Sequence, residues 1–489
     1  MRVSHAGSAV SAVFDDPNLV SCAGLAPVMA LAQRCGLHAL VATLLTLRGA
    51  GGVNAVLKVP ALIAGMVAGA DSIDDMDLLR HGGMRRLFTG IRAPSTLGTF
   101  LRCFTFGHVR QLDAIAAGFL TRLARSTPLL PGAQTVTYVD IDDTIRQTHG
   151  YAKQGVGYGY SGVKGLNALI ATVSTPLAAP VIAATRLRKG SANSARGAAR
   201  LVADALITAR AAGAGGSDSD GLVLLRADSA FYGHDTIATA RRHGARFSVT
   251  ARMTATVQAA ISRIPDTTWT PIRYTDAVWD EEGQCWISDA EVAETPFTAF
   301  TSRRKAEHIS ARLVVRRVTR LNPRNTQRGS TGSTGSGESV GQAVEQAVLF
   351  ETYRYHAFFT DSTLPLLQAD TTHRKHAIVE QVIADLKNGP LAHLPSGKFD
   401  ANAAWLVLAA IAFNLTRAAG CLASTKSTSL HARATTGTLR AQLINLPARL
   451  ARSGRRLVLH LPEQWPWQDA FDALFSAATC PPTAPGTRP

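Results

Sequence analysis

At 489 residues the chain is too long for one compact core, so about two to four domains are expected. Apolar residues make up 46%, which excludes wholesale disorder, and 51 Lys plus Arg against 35 Asp plus Glu leave a net charge of +16 that favours a polyanionic partner. The six cysteines, at 22, 35, 103, 285, 421 and 480, form no CxxC pair, which opposes a zinc ribbon or a disulfide framework and suits a reducing cytoplasm.

No long apolar stretch follows Met1-Arg2-Val3-Ser4-His5, so no secretory signal is expected. From Leu19 to about Arg125 the pattern is helical, with apolar residues every three or four positions in Leu25–Leu47, Ala61–Leu79 and Phe100–Leu123. Ala93-Pro94-Ser95-Thr96 reads as a helix start. Residues 1–130 are therefore expected to form a separate helical N-terminal domain. Near Gln134 the period changes: Thr135–Ile141, Asn167–Ser174 and Val181–Leu187 are β-rich, with Gly and Pro between them. An Ala-rich helix, Ser194–Ala212, precedes the continuous apolar run Gly221–Ala227, which reads as a strand buried on both faces. A helix at Asp235–His243 and a strand at Arg246–Ala251 complete 131–254. A meander followed by βαβ addition is the ribonuclease-H-like order.

Residues 255–350 show short strand-like pieces, Trp269–Tyr274, Ala277–Ile287 and Ala311–Val318, and a Gly/Ser/Thr-rich segment, Arg324–Gly341, read as a flexible loop. The core resumes over 351–425, with a helix at His373–Lys387 and an apolar helix at Ala401–Ala419. The longest apolar run there, Ala403–Phe413, is well short of the ~20 residues a bilayer needs, so no membrane span is expected. Residues 426–489 are a basic C-terminal region ending in a Pro-rich tail, Cys480–Pro489, read as disordered. The fold class expected is α/β: a ribonuclease-H-like catalytic core with an inserted β-rich domain, preceded by an α-helical DNA-binding domain.

Carboxylates mark the candidate site. In TYVDIDDT, strand alternation puts Asp140 and Asp142 on one face, at what reads as the carboxyl end of a strand, where open α/β sheets place ligands. A solvated strand end or an Asx turn is the structural alternative, and Asp140 or Asp143 stays open as the first ligand. Asp228 ends the apolar run GLVLLRA and so emerges at the mouth of the sheet; a helix N-cap is its alternative. Two acidic strand ends invite a divalent cation, because Mg²⁺ prefers hard oxygen ligands. In HRKHAIVEQVIADLK, His376, Glu380 and Lys387 share one helical face while Ile378, Val379, Val382, Ile383 and Leu386 form the apolar stripe. His373 and His376 lack a third soft ligand at short spacing and do not read as a metal pair.

Joined together, the passages APSTLGTFLRCFTFGHVRQLD (93–113), YVDIDDT (138–144), LLRADSAFY (224–232) and HRKHAIVEQVIADLKNGPLAHLPSGKFDANAAWL (373–406) resemble the DDE transposases of bacterial insertion sequences. In style they are nearest to the family called IS-thirteen-eighty, whose β-rich insertion falls between the second Asp and the Glu. The resemblance runs from about residue 20 to 475. It implies a metal-dependent polynucleotidyl transferase and endonuclease for cut-and-paste transposition. Its catalytic and metal-holding carboxylates would be Asp142, Asp228 and Glu380, with two Mg²⁺ ions for which Mn²⁺ can substitute. Asp228 and Glu380 stand 152 residues apart, and Lys387 follows seven after the Glu as a phosphate contact. Where the superfamily has Tyr and Arg before the Glu, this chain has His373 and His376, carried over as DNA contacts. The implied partners are DNA, as terminal inverted repeats and as target, and a second copy of the chain in a synaptic complex. The implied location is the bacterial cytoplasm, at the nucleoid. End recognition is expected from the N-terminal helices, parts of the insertion and the basic C-terminal segment. Trp269, Trp279 and Trp286 are candidates to stack on an extruded base or to form the insertion's core. The rival readings are another ribonuclease-H-like nuclease, a catalytically inactive transposase relative that only binds DNA, and a basic structural protein.

Overall fold

The computed structural model describes residues 12–49, 51–149, 153–159, 161–216, 220–272, 279–280, 285–286, 290–319, 353–424 and 429–479. The expectations for Arg324–Gly341 and for the tail Cys480–Pro489 fall outside these residues, as do the side chains of Trp279 and Trp286. Contacts divide the chain into two units. The first comprises Met1–Leu225, Asp235–Ala245 and Ala377–Pro489; the second comprises Arg226–His234 and Arg246–His376.

In the first unit, strands Val136–Gln147, Lys164–Thr175 and Ala178–Arg188 form the expected antiparallel meander, with Asp142 opposite Ile170 and Ile170 opposite Thr185. Gly157–Tyr158 pairs with the start of the middle strand, and the strand Leu222–Ala227, of which Leu222–Leu225 belong to this unit, neighbours Val136–Gln147. Helices Ala198–Ala211 and Ile378–Lys387 both pack on these strands, so the middle strand is buried at every residue after Lys164. That covering explains its unbroken apolar character.

The N-terminal helices are Leu25–Arg34, Leu37–Leu44, Ala55–Ala68, Pro94–Arg102 and Phe106–Ser126. The pattern read over Leu25–Leu47 is two helices, separated at Gly36, whose φ of 73° is cheap only without a Cβ. These helices belong to the same unit as the meander, and the boundary expected at residue 130 is not where the contacts divide. The reason is the helix Phe399–Ala423, which packs against Ala55–Ala68, Phe106–Ser126, the strand Ala178–Arg188 and the C-terminal helix Gln468–Thr479, making one core. By length and composition this helix could cross a bilayer, yet 94% of its most apolar stretch is buried inside the protein. The basic C-terminal segment forms a hairpin, Ala448–Ser453 with Arg456–His460, that adds to Leu19–Val20.

Polar groups on this central helix are satisfied inside the core. Trp405 Nε1 donates to the Pro390 carbonyl at 2.6 Å. Asn414 serves a sheet edge: its Oδ1 accepts from Ile182 N–H and its Nδ2 donates to Ile182 O, both at 2.8 Å. The register of Ala178–Arg188 shifts beside Ile182, and the Asn414 amide takes the place of a ladder partner there. Asn414→Leu leaves a buried N–H and C=O without partners, and a loss of about 2–3 kcal/mol is expected from urea unfolding.

A half-buried charged cluster ties helix Phe106–Ser126 to its neighbours. Arg110 bridges Asp113 at 2.7 Å and Asp204 at 3.1 Å, and Arg186 reaches Asp204 at 2.9 Å. Burial pushes the Asp113 carboxyl up to about 6, against the pull of the Arg186 and Arg110 guanidiniums and with help from Asp204. A carboxyl with a raised folded-state value prefers to stay protonated when folded. Its contribution is therefore complete at low pH and is lost as pH rises from about 4 to about 6. The difference in urea midpoint between the wild type and Asp113→Asn should change over that window and stay flat above it.

The second unit is an antiparallel sheet ordered Arg246–Thr250, Tyr353–Thr360, Ile309–Thr319, Ala290–Ala299, Thr270–Ile272. One face buries Val257, Ile261, Trp269, Leu313, Val315 and Ala357; the other buries Val292, Val314 and Phe358 against Ala369 of helix Leu366–Arg374. The β-rich character read over 255–350 is thus present, but the sheet it joins begins at Arg246 and closes with Tyr353–Thr360.

Candidate active site

Asp142 lies in the middle of its strand. Thr144–Gln147 continue the pairing with Gly165–Ala168, so the strand end expected at Asp142 comes five residues later. Alternation holds as read: Asp140, Asp142, Thr144 and Arg146 share one face, Asp143 and Ile145 the other. The Asp143 N–H donates to Asp142 Oδ1 at 2.7 Å.

The three aspartates differ in environment. The Asp143 side chain is 3% exposed and forms an ion pair with Arg188 while accepting from Asn167 Nδ2 at 2.9 Å. Arg188 also donates to Asn167 Oδ1 and to the Asn193, Ser194 and Arg196 carbonyls leading into helix Ala198–Ala211. Asp143 is therefore committed to the sheet face that this helix covers. Asp140 is fully buried and Asp142 half-buried, on the opposite face.

Helix Ile378–Lys387 lies against the Asp142 strand. Its Val379, Val382, Ile383 and Leu386 are buried, while Glu380, in the first turn, is exposed. Lys387, two turns on, is half-buried. Burial and then the Arg146 guanidinium hold its ammonium below the usual lysine range, while the Asp142 carboxylate acts in the opposite sense. Within the first unit, then, the fold gathers Asp142, Arg146 and Lys387, with Glu380 on the same helix as the lysine.

Asp228 belongs to the second unit; the chain crosses from the first inside the strand Leu222–Ala227, between Leu225 and Arg226. The N-cap alternative read for this residue is present in the structure. Asp228 follows directly on the buried strand, and its carboxylate caps the short turn Ser229–Phe231 by accepting from Ala230 N–H at 3.0 Å.

The helix expected over His373–Lys387 is interrupted. Leu366–Arg374 and Ile378–Lys387 are separated by a 3₁₀ turn, Lys375–Ala377. His376 Nδ1 meets the His373 carbonyl at 2.7 Å, so the ring occupies an acceptor that a continuing helix would use for the Ala377 N–H. His376 therefore does not share a helical face with Glu380. His373 is 6% exposed, stacks on Phe358 with ring centroids 4.2 Å apart, and meets Ser248 Oγ through Nδ1 and Thr250 Oγ1 through Nε2. Burial, then the His376 ring and the Arg226 guanidinium, hold it well below its usual value. His373 thus sits within the second unit with both ring nitrogens engaged by hydroxyls. Trp269 is core: it is 9% exposed, with the Arg317 guanidinium 4.4 Å above its ring.

Asp140, Asp142 and Glu380 in the first unit, like Asp228 in the second, carry hard carboxylate oxygens, the donor type that suits Mg²⁺ better than a soft metal. Among the described residues no three His, Cys, Asp or Glu stand grouped to hold a metal ion. Sequence reasoning missed Arg146, which its even spacing from Asp142 could have flagged. It also missed Arg188 and Asn167, for which no signal existed before the strand register was known.

The family model for Transposase DDE domain group 1 matches residues 3–329 and 356–479. No curated protein matches the chain. A match over nearly the whole length, on a mixed α/β fold consistent with a ribonuclease-H-like core, shows that the chain belongs to the transposase DDE domain family, group 1.

Proposed function

We propose that this transposase excises and reinserts a DNA element by a cut-and-paste route, with Asp142, Asp228 and Glu380 as the carboxylates that hold two Mg²⁺ ions. The observation that carries the reading is the half-buried Asp142 on a central strand, faced by a helix that bears both Glu380 and the cation Lys387. Bound there, the ions would make a bound water more acidic for attack on the phosphodiester and offset charge on the departing 3′ oxygen; Mn²⁺ would substitute.

The protein's own part is positioning. The Asp143 N–H fixes the Asp142 carboxylate, the cap at Ala230 fixes that of Asp228, and Lys387 meets a phosphate of the cut strand. The freed 3′-OH then attacks target DNA. The insertion-sequence subgroup, end recognition by the N-terminal helices, a two-subunit complex on paired ends and action at the nucleoid in the cytoplasm belong to the same proposal. Incubating the full chain with linear DNA carrying the element's ends, with Mg²⁺, with Mn²⁺ or with EDTA, tests it. Cleavage at the repeat boundary in both metals and none in EDTA is expected. Specific binding without cleavage would overturn it in favour of a relative that only binds DNA.

A further inference from the structure

Two cations, Arg146 and Lys387, lie beside Asp142. Arg146 lies four residues beyond Asp142 on the same strand and therefore on the same face. Its Nε is shut off from solvent and has no hydrogen-bond partner among the described residues. Lys387 reaches this face from the last turn of the opposing helix, close enough for both the Arg146 guanidinium and the Asp142 carboxylate to act on its ammonium. Three other arginines of this unit, by contrast, pair with carboxylates: Arg188 with Asp143, Arg110 with Asp113 and Arg186 with Asp204. Holding two like charges together out of water costs free energy that an arriving anion returns.

We propose that Arg146 and Lys387 together seat one phosphodiester of the DNA strand beside Asp142, the guanidinium offering a planar fork from the strand and the ammonium a point charge from the helix. This rests on the transposase reading above and adds Arg146 to it. A guanidinium is suited to two oxygens of one phosphate. One phosphate shared by two cations also predicts that they will not act independently.

The test is the affinity of the full chain for a fluorescein-labelled duplex bearing the element's end, measured across a salt series without divalent metal. Arg146→Ala and Lys387→Ala are each expected to weaken binding about fivefold to tenfold and to lower the slope of log affinity against log salt by about one. The double variant should lose little more than either single one, because both grip the same phosphate. Arg146→Lys, which keeps the charge, should keep the slope and controls for a folding defect. Wild-type affinity and slope in Arg146→Ala, or a lost slope in Arg146→Lys, would overturn the shared seat alone. A wild-type protein that binds no DNA would overturn both the seat and the reading beneath it.

Discussion

Asp228→Ala is expected to lower the rate of DNA cleavage by about 10⁴-fold while leaving affinity for the same DNA within a few-fold. The carboxylate stands at the end of a strand whose preceding residues, Val223–Ala227, are all buried, a placement that fixes where the charge emerges. Alanine has a second consequence, because Asp228 also caps the turn at Ala230. Losing that cap costs about 1 kcal/mol and complicates any interpretation from activity alone. Asp228→Asn separates the two roles: the amide oxygen still accepts from the Ala230 N–H, but the negative charge is gone. Both variants should be inactive, and the Asn variant should melt like the wild type. Normal cleavage by Asp228→Asn would remove this residue from the metal-holding set.

The second large effect lies one residue from Asp142 and is of the opposite kind. Asp143→Ala is expected to destabilise the first unit by about 3–5 kcal/mol, measured by urea unfolding, because it strands the Arg188 guanidinium in the interior. The arginine retains its carbonyl acceptors but loses the Asp143 carboxylate. Pairing Asp143→Ala with Arg188→Met should recover much of that loss, since the cost comes from the uncompensated charge and not from the missing contact. Asp142→Ala should by contrast change stability little, its side chain being only half-buried. If Asp143→Ala proved as stable as the wild type, the buried pair would not be a structural tie.

Some of this was legible in the residues and some was not. Alternation in TYVDIDDT correctly put Asp142 with Asp140 and against Asp143, because strand parity needs no knowledge of partners. The end of that strand was misplaced because Thr144–Gln147 look unremarkable until Gly165–Ala168 are seen to pair with them. Likewise, Asn167 and Arg188 become neighbours of Asp143 only through the register of three strands. The run GLVLLRA declared its strand and its terminal Asp, since continuous apolar sequence reports burial directly. Periodicity over His373–Lys387 could not show the break at Lys375–Ala377, which a single ring–carbonyl bond accompanies and which leaves the apolar spacing intact. That the N-terminal helices group with the meander was not legible for a different reason: the helix that packs on both lies nearly 300 residues further along, about the distance from Phe106 to Phe399.

That joining element, Phe399–Ala423, has a consequence for how the chain can be made. Three of its packing partners, Ala55–Ala68, Phe106–Ser126 and Ala178–Arg188, are synthesised before it, and Gln468–Thr479 comes after. On the ribosome the earlier segments must wait, with an apolar slot open, until their filler emerges. Then 25 residues able to enter a bilayer appear at once and must find that slot before a membrane or another nascent chain captures them. The step most exposed to chaperones and to aggregation in this transposase is therefore late in translation, when the last large piece of its core arrives.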